Sequence, residues 1–364
     1  MTADHLPPLY DAHAALGAKF GSFGGWSMPL EYSGGGVLAE HATVRQSVGL
    51  FDVSHLGKVQ IAGPGAAVYL DTRLTNDLTR IGPGQAQYSL LCNESGGVVD
   101  DLIAYLFGDD RVLLVPNAAN AAAVTSALCD GLPDGITITD QHEEHVVLAV
   151  QGPSSGDVMV ALGLPSDMDY MAFETGKFDG QTLTVCRTGY TGERGYELVA
   201  PNAAAAPLWA AIMAAGQPFG IKPCGLGARD TLRTEMGYPL HGQDITPVID
   251  PLEAGLSWAV GWAKSFDGAA ALRRVKQDGP TYRLRGIKSQ GRGIPRAGMT
   301  VVDDGLSLIG EVTSGTYSPT LKMGIGLALI SPSVGEGDAV GVQIRGRVEP
   351  FDVVKLPFVD SHVK

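Results

Sequence analysis

Between residues 55 and 140 the pattern of apolar positions predicts a compact unit of strands and helices. Apolar residues that alternate with polar ones mark strands, and a spacing of about three to four residues marks helices. Read in order, this segment predicts a strand, a helix, a hairpin, a further strand, a helix and a strand. The predicted strands are 58–61, the hairpin 88–105, 111–116 and 136–139, and the predicted helices are 63–70 and 117–129.

The hairpin carries the most unusual polar pattern in the chain. Two apolar runs meet at Gly96-Gly97, but Asp100 and Asp101 interrupt the second run. Because side chains alternate along a strand, the two acids should face opposite sides of the sheet. A carboxylate that faces a core must be hydrogen-bonded to be tolerated. Either one acid caps a turn or meets water while the other is paired structurally, or one points into a cavity and binds an N–H of a substrate.

Outside this unit, the pattern predicts a second mixed region and a C-terminal region of strands alone. From Tyr282 onward helical periodicity disappears, and six short strands separated by glycine predict a small β-barrel. The other predicted elements are helices at 8–20, 37–48, 153–162, 203–215 and 225–236, strands at 145–150, 183–187 and 196–199, and a loop around Trp26 and Pro29.

Length and charge restrict the class of protein. A chain of 364 residues is too long for one ordinary core, so we expect two or three domains. A formal net charge of −13 argues against nonspecific binding to nucleic acid or anionic membranes. No N-terminal segment resembles a signal peptide, and no run of about 18 apolar residues is present. These observations predict a cytoplasmic protein that binds neither membrane nor nucleic acid.

Three short motifs suggest other chemistries. Residues 152–156 match the G-x-S-x-G pattern of a hydrolase nucleophile, but a proline precedes Ser154 and a hydroxyl bonded to backbone is the simpler interpretation. The sequence HEEH at 142–145 places two imidazoles near each other without a third ligand cluster, so we expect no metal site. The glycines at 82–84 and 225–227 are too few for a phosphate-binding loop.

Two charged residues lie where a structural role is not obvious. Glu197 follows the loop 188–195 among apolar strand neighbours, so it is either an edge-strand acid in water or a carboxylate that binds paired N–H donors. Arg229 lies in the first turn of a predicted helix, where the helix dipole disfavours a cation. We therefore expect Arg229 to serve a carboxylate or a ligand.

Taken together, the motifs resemble the aminomethyltransferase (T-protein) family of the glycine cleavage system. The matching segments run in the family's order from residue 8 to about 330. They include GGWSMPLEY, SVGLFDVSHLG, YSLLCNESGGVVDDLIAY, VPNAAN, RTGYTGERGYEL, GLGARDTLR and GEVTSGTYSPTLKMGIGLA. The resemblance implies an α+β fold of three domains in a clover-leaf around a central channel that holds tetrahydrofolate. The implied domains are 1–54 with 144–245, 55–143 with 246–277, and a C-terminal β-barrel at 278–364.

The resemblance also implies roles for individual residues. Asp101 would be the catalytic carboxylate near the folate, and Glu197 and Arg229 would contact substrate or folate. A C-terminal residue that reaches the folate in the family has no clear counterpart in FVDSHVK, where His362 or Lys364 would be the substitute. The remaining implied folate-pocket residues are Tyr88, Asn117, Tyr190 and Tyr238.

The implied reaction transfers the methylene of an aminomethyl group to tetrahydrofolate and releases ammonia. The group arrives on the dihydrolipoyl arm of H-protein, the implied partner, and no metal is required. Two alternatives share the fold: a folate-dependent demethylase and a folate-binding module without catalysis. Modules of the latter kind carry a cysteine in a KGCYxGQE-type motif, and this chain has Tyr190 and no cysteine in the corresponding segment.

Overall fold

A computed structural model of the chain describes residues 4–364. The helices are α1 Tyr10–Ala15, α2 Gly36–Gln46, α3 Ala66–Asp71, α4 Ala121–Cys129, α5 Ser155–Ala161, α6 Ala205–Gly216, α7 Leu226–Met236 and α8 Ala269–Asp278. The strands are β1 Ala18–Phe23, β2 Trp26–Tyr32, β3 Gly49–Asp52, β4 Val59–Ala62, β5 Gln85–Cys92, β6 Val98–Gly108, β7 Arg111–Val115, β8 Thr137–Asp140, β9 His145–Gln151, β10 Phe173–Phe178, β11 Gln181–Cys186, β12 Gly195–Pro201, β13 Lys222–Cys224, β14 Arg283–Ser289, β15 Thr300–Val302, β16 Leu308–Ser318, β17 Met323–Ile330, β18 Ala339–Ile344 and β19 Arg347–Val354.

The segment from β4 to β8 forms a five-stranded antiparallel sheet in the order β5-β6-β7-β4-β8. Its element order, with α3 and α4 between strands, confirms the predicted strand–helix–hairpin–strand–helix–strand pattern. Leu102 and Ala104 of β6 belong to the core beneath α3 and α4. The alternate residues Ile103 and Tyr105 pack toward the next sheet. One face of β6 is therefore covered by helices and the other by a second sheet.

That second sheet has six strands in the order β10-β11-β12-β9-β3-β13. Its central strand β9 is buried along nearly its whole length, as its run of valine, leucine and alanine requires. Leu148 and Val150 face a core that includes Leu208 and Trp209 of α6. On the opposite face, Val147 shares a core with residues of the five-stranded sheet. The two sheets therefore pack against each other face to face.

The C-terminal strands form the closed barrel that the glycine-separated pattern predicts. The strand order is β14-β17-β16-β15-β18-β19, and β14 pairs with both β17 and β19 to close it. Alternating residues such as Ile287, Val312 and Phe351 fill its interior. The α+β class and the C-terminal barrel are confirmed. The domain boundaries implied by the family resemblance stay a prediction. Strands before residue 54 and after residue 144 do share one sheet, as the predicted first domain would require.

The N-terminal prediction is wrong in part. Residues 8–20 were expected to be one helix, but α1 ends at Ala15 and β1 begins at Ala18. Gly17 lies between them with φ of +72°, a left-handed conformation that ends a helix. The predicted loop around Trp26 and Pro29 is strand β2, which pairs with β1 in an isolated hairpin. A proline is tolerated there because the hairpin has free edges. Within residues 4–364, none of the helices has both the length and the apolar character needed to cross a membrane.

Candidate active site

The two acids of the hairpin lie where β6 loses one of its neighbouring strands. On one side, β5 pairs with β6 past both acids. On the other side, β7 pairs with β6 only from Ile103 onward, because β7 ends at Val115. The chain then turns at Pro116, so Asn117 lies beside Asp100 and Asp101 in place of a strand. A gap in the sheet edge therefore lets side chains reach both carboxylates.

Asp100 and Asp101 share the amide of Asn117. Asp100 is fully buried and accepts hydrogen bonds from Asn117 N at 3.0 Å, Asn117 Nδ2 at 2.9 Å and Asn120 Nδ2 at 2.7 Å. Asp101, which is half-buried, accepts from Asn117 Nδ2 at 2.8 Å and from the Tyr88 hydroxyl at 3.1 Å. By the alternation along β6, Asp101 is on the face of Ile103, toward the six-stranded sheet. Its carboxylate is thus oriented by two donors while remaining partly accessible.

Burial and mutual repulsion keep protons on this pair. Burial, together with the charge of Asp101, raises the pKa of Asp100 to about 8. Burial also raises the pKa of Asp101 above its ordinary value. Two carboxyls this close cannot both ionise easily, so they titrate as a coupled pair. A pair of this kind can hold or release a proton at the pH where an enzyme works.

Tyr88 connects the pair to an exposed aromatic residue. Its ring stacks on that of Trp258 with centroids 5.3 Å apart, and Trp258 is 60% exposed. Burial and the nearby Asp101 charge raise the pKa of the Tyr88 hydroxyl, so it stays protonated and donates. The sequence analysis did not identify Trp258 as part of the site.

Glu197 and Arg229 lie in a second group of polar residues. The Thr188 hydroxyl donates to Glu197 Oε2 at 2.6 Å, and Glu197 Oε1 accepts no hydrogen bond within residues 4–364. The Arg229 guanidinium lies 4.7 Å from the centre of the Tyr190 ring. Its Nη1 is buried and has no hydrogen-bond partner in the described part of the chain. Burial lowers the pKa of Arg229, with the Glu197 charge acting in the opposite direction. A buried donor of this kind fits a residue that binds a ligand.

Tyr190 lies between the two groups. Its hydroxyl donates to Pro239 O, and its ring lies 5.5 Å from that of Tyr238. Burial raises the pKa of Tyr190, and the charge of Asp101 adds to that increase. The structure therefore brings together all seven residues that the sequence analysis named for the site. Their roles remain predictions.

Two residues of this network were missed by the sequence analysis. Asn120 Nδ2 contacts Asp100 and also His241 Nδ1, the latter at 2.9 Å. The segment VPNAAN contains Asn120, but its distance from Asp100 in the chain hides the contact. The sequence analysis gave His241 no role, although it lies in the site of the acidic pair.

Residues of the rival motifs make contacts with the backbone. Ser154 immediately precedes α5, and its backbone N–H donates to Ser47 O at 3.0 Å. The expected bond from its hydroxyl to backbone is wrong, since the neighbouring Ser155 makes that contact, to Arg194 O. His142 Nε2 is 2.8 Å from the backbone oxygen of His55. No group of three or more histidine, cysteine or acidic residues within 4–364 is arranged to hold a metal ion.

The C-terminal segment lies against the loop 188–195. His362 N donates to Gly192 O at 2.7 Å, and His362 Nδ1 is 3.2 Å from Glu193 Oε2. Arg187 Nη2 donates to Val363 O at 2.7 Å. This loop carries Tyr190, so the C-terminus lies near the second polar group. Whether His362 or Lys364 contacts a folate stays a prediction.

Comparison with known proteins supports one family along the whole chain. Residues 9–264 match the GCVT N-terminal domain, and residues 283–360 match the glycine cleavage T-protein C-terminal barrel domain. An aminomethyltransferase of Frankia alni is 57% identical over 97% of each chain. One of Mycobacterium avium is 55% identical over 97% of this chain and 96% of its own. The crystal structure of glycine cleavage system aminomethyltransferase T from Bartonella henselae matches with a TM-score of 0.93 and 36% identity over 98% of both chains. The chain therefore belongs to the glycine cleavage T-protein family of aminomethyltransferases.

Proposed function

We propose that this aminomethyltransferase transfers the carbon of an aminomethyl group to tetrahydrofolate and releases ammonia. The group would arrive on the dihydrolipoyl arm of H-protein, the partner that the family implies. The observation that carries the proposal is the acidic pair, in which Asp101 is held by Tyr88 and Asn117 and is still partly accessible. Donors and acceptors for a ligand lie close by, on Glu197 and Arg229.

The residues around Tyr190 fit a tetrahydrofolate. A reduced pterin offers N–H donors, a carbonyl acceptor and a flat ring, and its tail is anionic. The free oxygen of Glu197 can accept from N–H groups, and the unpartnered Nη1 of Arg229 can donate to a carbonyl or carboxylate oxygen. The Tyr190 and Tyr238 rings supply an apolar surface. Bound tetrahydrofolate would supply the nitrogen atoms that accept the one-carbon unit.

In this proposal the chain's own residues orient groups and manage one proton. Tyr88 and Asn117 fix the Asp101 carboxylate, so little reorganisation is needed during reaction. The amine of the aminomethyl group must carry a proton to leave as ammonia. Because the pKa of Asp100 is raised to about 8 and that of Asp101 is raised as well, the pair can supply or accept that proton. Burial also keeps water away from the Asp100 carboxyl.

The test is a reconstituted assay with aminomethylated H-protein and tetrahydrofolate. We expect methylene-tetrahydrofolate and ammonia to form in equal amounts, and neither to form when H-protein or folate is omitted. Free aminomethylated lipoamide in place of H-protein would measure how far the carrier protein itself contributes. Turnover of a methylated sulfur or amine donor, with none from H-protein, would contradict the proposal and favour a demethylase. Folate binding without turnover of any donor would favour a binding module.

A further inference from the structure

A chain of hydrogen bonds links Asp101 to His241 through two asparagine amides. Asn117 Nδ2 lies 2.8 Å from Asp101 Oδ1 and 2.9 Å from Asp100 Oδ1. Asn120 Nδ2 lies 2.7 Å from the same oxygen of Asp100 and 2.9 Å from His241 Nδ1. Asn120 Nδ2 thus bridges two acceptors, and Asn117 Nδ2 contacts both carboxylates and also Asp101 O at 3.0 Å. His241 is the last member of this series of hydrogen bonds.

The chemistry of the amides fixes the form of His241. An amide nitrogen carries two hydrogens and accepts none, so Asn120 Nδ2 must donate to His241 Nδ1. The backbone oxygen of Val98 only accepts, so the hydrogen of the neutral imidazole is on Nε2, and a reversed amide would place its oxygen against the lone pair of Nδ1. His241 Nδ1 is therefore unprotonated, and Nε2–H donates to Val98 O at 3.0 Å. Val98 begins β6, the strand that carries both acids. The imidazole therefore contacts β6 directly through Nε2 and indirectly, through Asn120, from Nδ1.

Within residues 4–364, only neutral groups donate hydrogen bonds to the Asp100 carboxyl. Every hydrogen bond that Asp100 accepts within residues 4–364 comes from Asn117 or Asn120. The other titratable groups near the pair are Tyr88 on β5, Tyr190 on the loop 188–195 and His241 itself. Loss of one amide contact would leave a buried carboxylate oxygen less satisfied, which is expensive. The orientation of Asn120 is therefore important for both acids.

We propose that His241 is a positioning residue for the acidic pair. By holding Asn120 on Asp100, it keeps the Asn117 amide shared between the two carboxylates and so fixes the direction of Asp101. The inference rests on the proposed function, in which Asp101 acts on the reacting group. The segment that carries His241 is itself anchored to the hairpin, because Val98 N donates to Thr246 O at 3.0 Å.

The test compares five variants in the H-protein assay. We expect His241→Ala to lower kcat about tenfold, the upper range for the loss of one neutral hydrogen bond, with KM for both substrates changed less than about twofold. His241→Gln should restore most of the rate, because its amide can accept from Asn120 and donate to Val98 O. Asn120→Ala should lower kcat at least as much, and adding His241→Ala to it should have little further effect. Asn202→Ala, which removes an amide bond to Glu143 O outside the network, is the matched control and should act like wild type.

Three outcomes would overturn the inference. The first is wild-type kcat in His241→Ala. The second is a loss of rate that glutamine does not rescue and that follows a loss of stability in denaturation curves. The third is additive losses in the double variant. Asp101→Asn, measured in parallel, separates the two proposals: if it retains full activity, the role of Asp101 fails, whereas if it is inactive while His241→Ala is not, only the positioning role fails.

Discussion

At the scale of single residues, the two neighbouring acids differ in environment. Asp100 is fully buried among N–H donors, whereas Asp101 is partly accessible and contacts a hydroxyl that can donate or accept. The difference lets the pair hold one proton unequally, as in other sites where two carboxyls have separate tasks. The accessible member is the one placed to exchange that proton with a reacting group.

This arrangement predicts an unusual pH dependence of stability. A carboxyl whose pKa is raised on folding, as that of Asp100 is from 3.8 to about 8, binds its proton more tightly in the folded state. The free energy of unfolding should therefore fall as the pH rises from 5 to 8. Asp101→Asn removes the neighbouring charge and so lowers the pKa of Asp100. Over the same pH range the free energy of unfolding should therefore fall less in the variant than in wild type, by about 1.4 kcal/mol for each unit by which the Asp100 pKa is lowered. Urea denaturation at both pH values measures this, and parallel losses in variant and wild type would contradict it.

The sequence showed the acidic pair but not its support. Asp100 and Asp101 stand out because charges interrupt an apolar strand, a local signal. Asn120 and His241 carry no such signal. Their contacts join residues 20 and 121 positions apart, and only the folded chain brings those segments together.

At the scale of secondary structure elements, α7 connects the site to the barrel. Arg229 and Arg233 lie one turn apart on this helix. Arg233 is 2% exposed and donates to Asp244 Oδ2 at 2.8 Å and to Ser314 Oγ of β16 at 3.0 Å. Helix α7 therefore presents Arg229 to the candidate site and Arg233 to a buried contact with the C-terminal barrel.

The buried contact predicts a large loss of stability in Arg233→Ala. The substitution leaves Asp244 buried without its cation, which should lower the free energy of unfolding by about 3–5 kcal/mol. Arg274→Ala on α8, where the side chain is exposed, is the matched control and should change it by less than about 0.5 kcal/mol. Equal denaturation midpoints for the two variants would show that the Arg233 contact does not stabilise the fold.

A second prediction concerns the turn of the acidic hairpin. A Cβ at Gly97 would lie 1.9 Å from Pro247 O, so alanine there must push the hairpin away from the segment that follows His241. We expect Gly97→Ala to destabilise the chain by about 1–3 kcal/mol and to lower activity. Gly291→Ala has no atom within 4 Å of the new Cβ and should be neutral. Thermal unfolding and the H-protein assay measure both effects, and a neutral Gly97→Ala would contradict this close approach.

Elements with a clear period were predictable, and elements without one were not. The helices α2 and α7 and the longer barrel strands follow patterns of burial over many residues. Strand β13 has only three residues, and the four residues of β3 are all buried, so neither strand shows an alternation. Strand β10 was also missed, since its glycine and charged residues resemble a loop.

At the scale of the whole molecule, chain order and spatial order differ. Strand β3 precedes the five-stranded sheet in the chain, yet it pairs with β9, which follows that sheet. A hydrophobic pattern reports which residues are buried but not which distant strand they pair with. The prediction of discontinuous domains therefore rests on the family resemblance and not on periodicity.

Surface charge leads to a prediction about binding. The chain carries a net charge of −13, while Lys288, Arg292 and Arg296 cluster at and after β14. Reversing all three charges should weaken binding of the anionic folate tail or of H-protein by up to about tenfold, since exposed charges each contribute modestly. Reversing Arg345 and Arg347, which are exposed on the barrel outside this cluster, is the control. Calorimetric titration measures both affinities, and no change in either would refute the prediction.

The most direct test of the account is the initial rate of methylene-tetrahydrofolate formation by wild type and Asp101→Asn. Both are assayed with aminomethylated H-protein and tetrahydrofolate at the same pH. The account predicts turnover by wild type and a rate lower by about 100-fold or more in the variant, with folding retained by circular dichroism. Wild-type turnover in Asp101→Asn would contradict it.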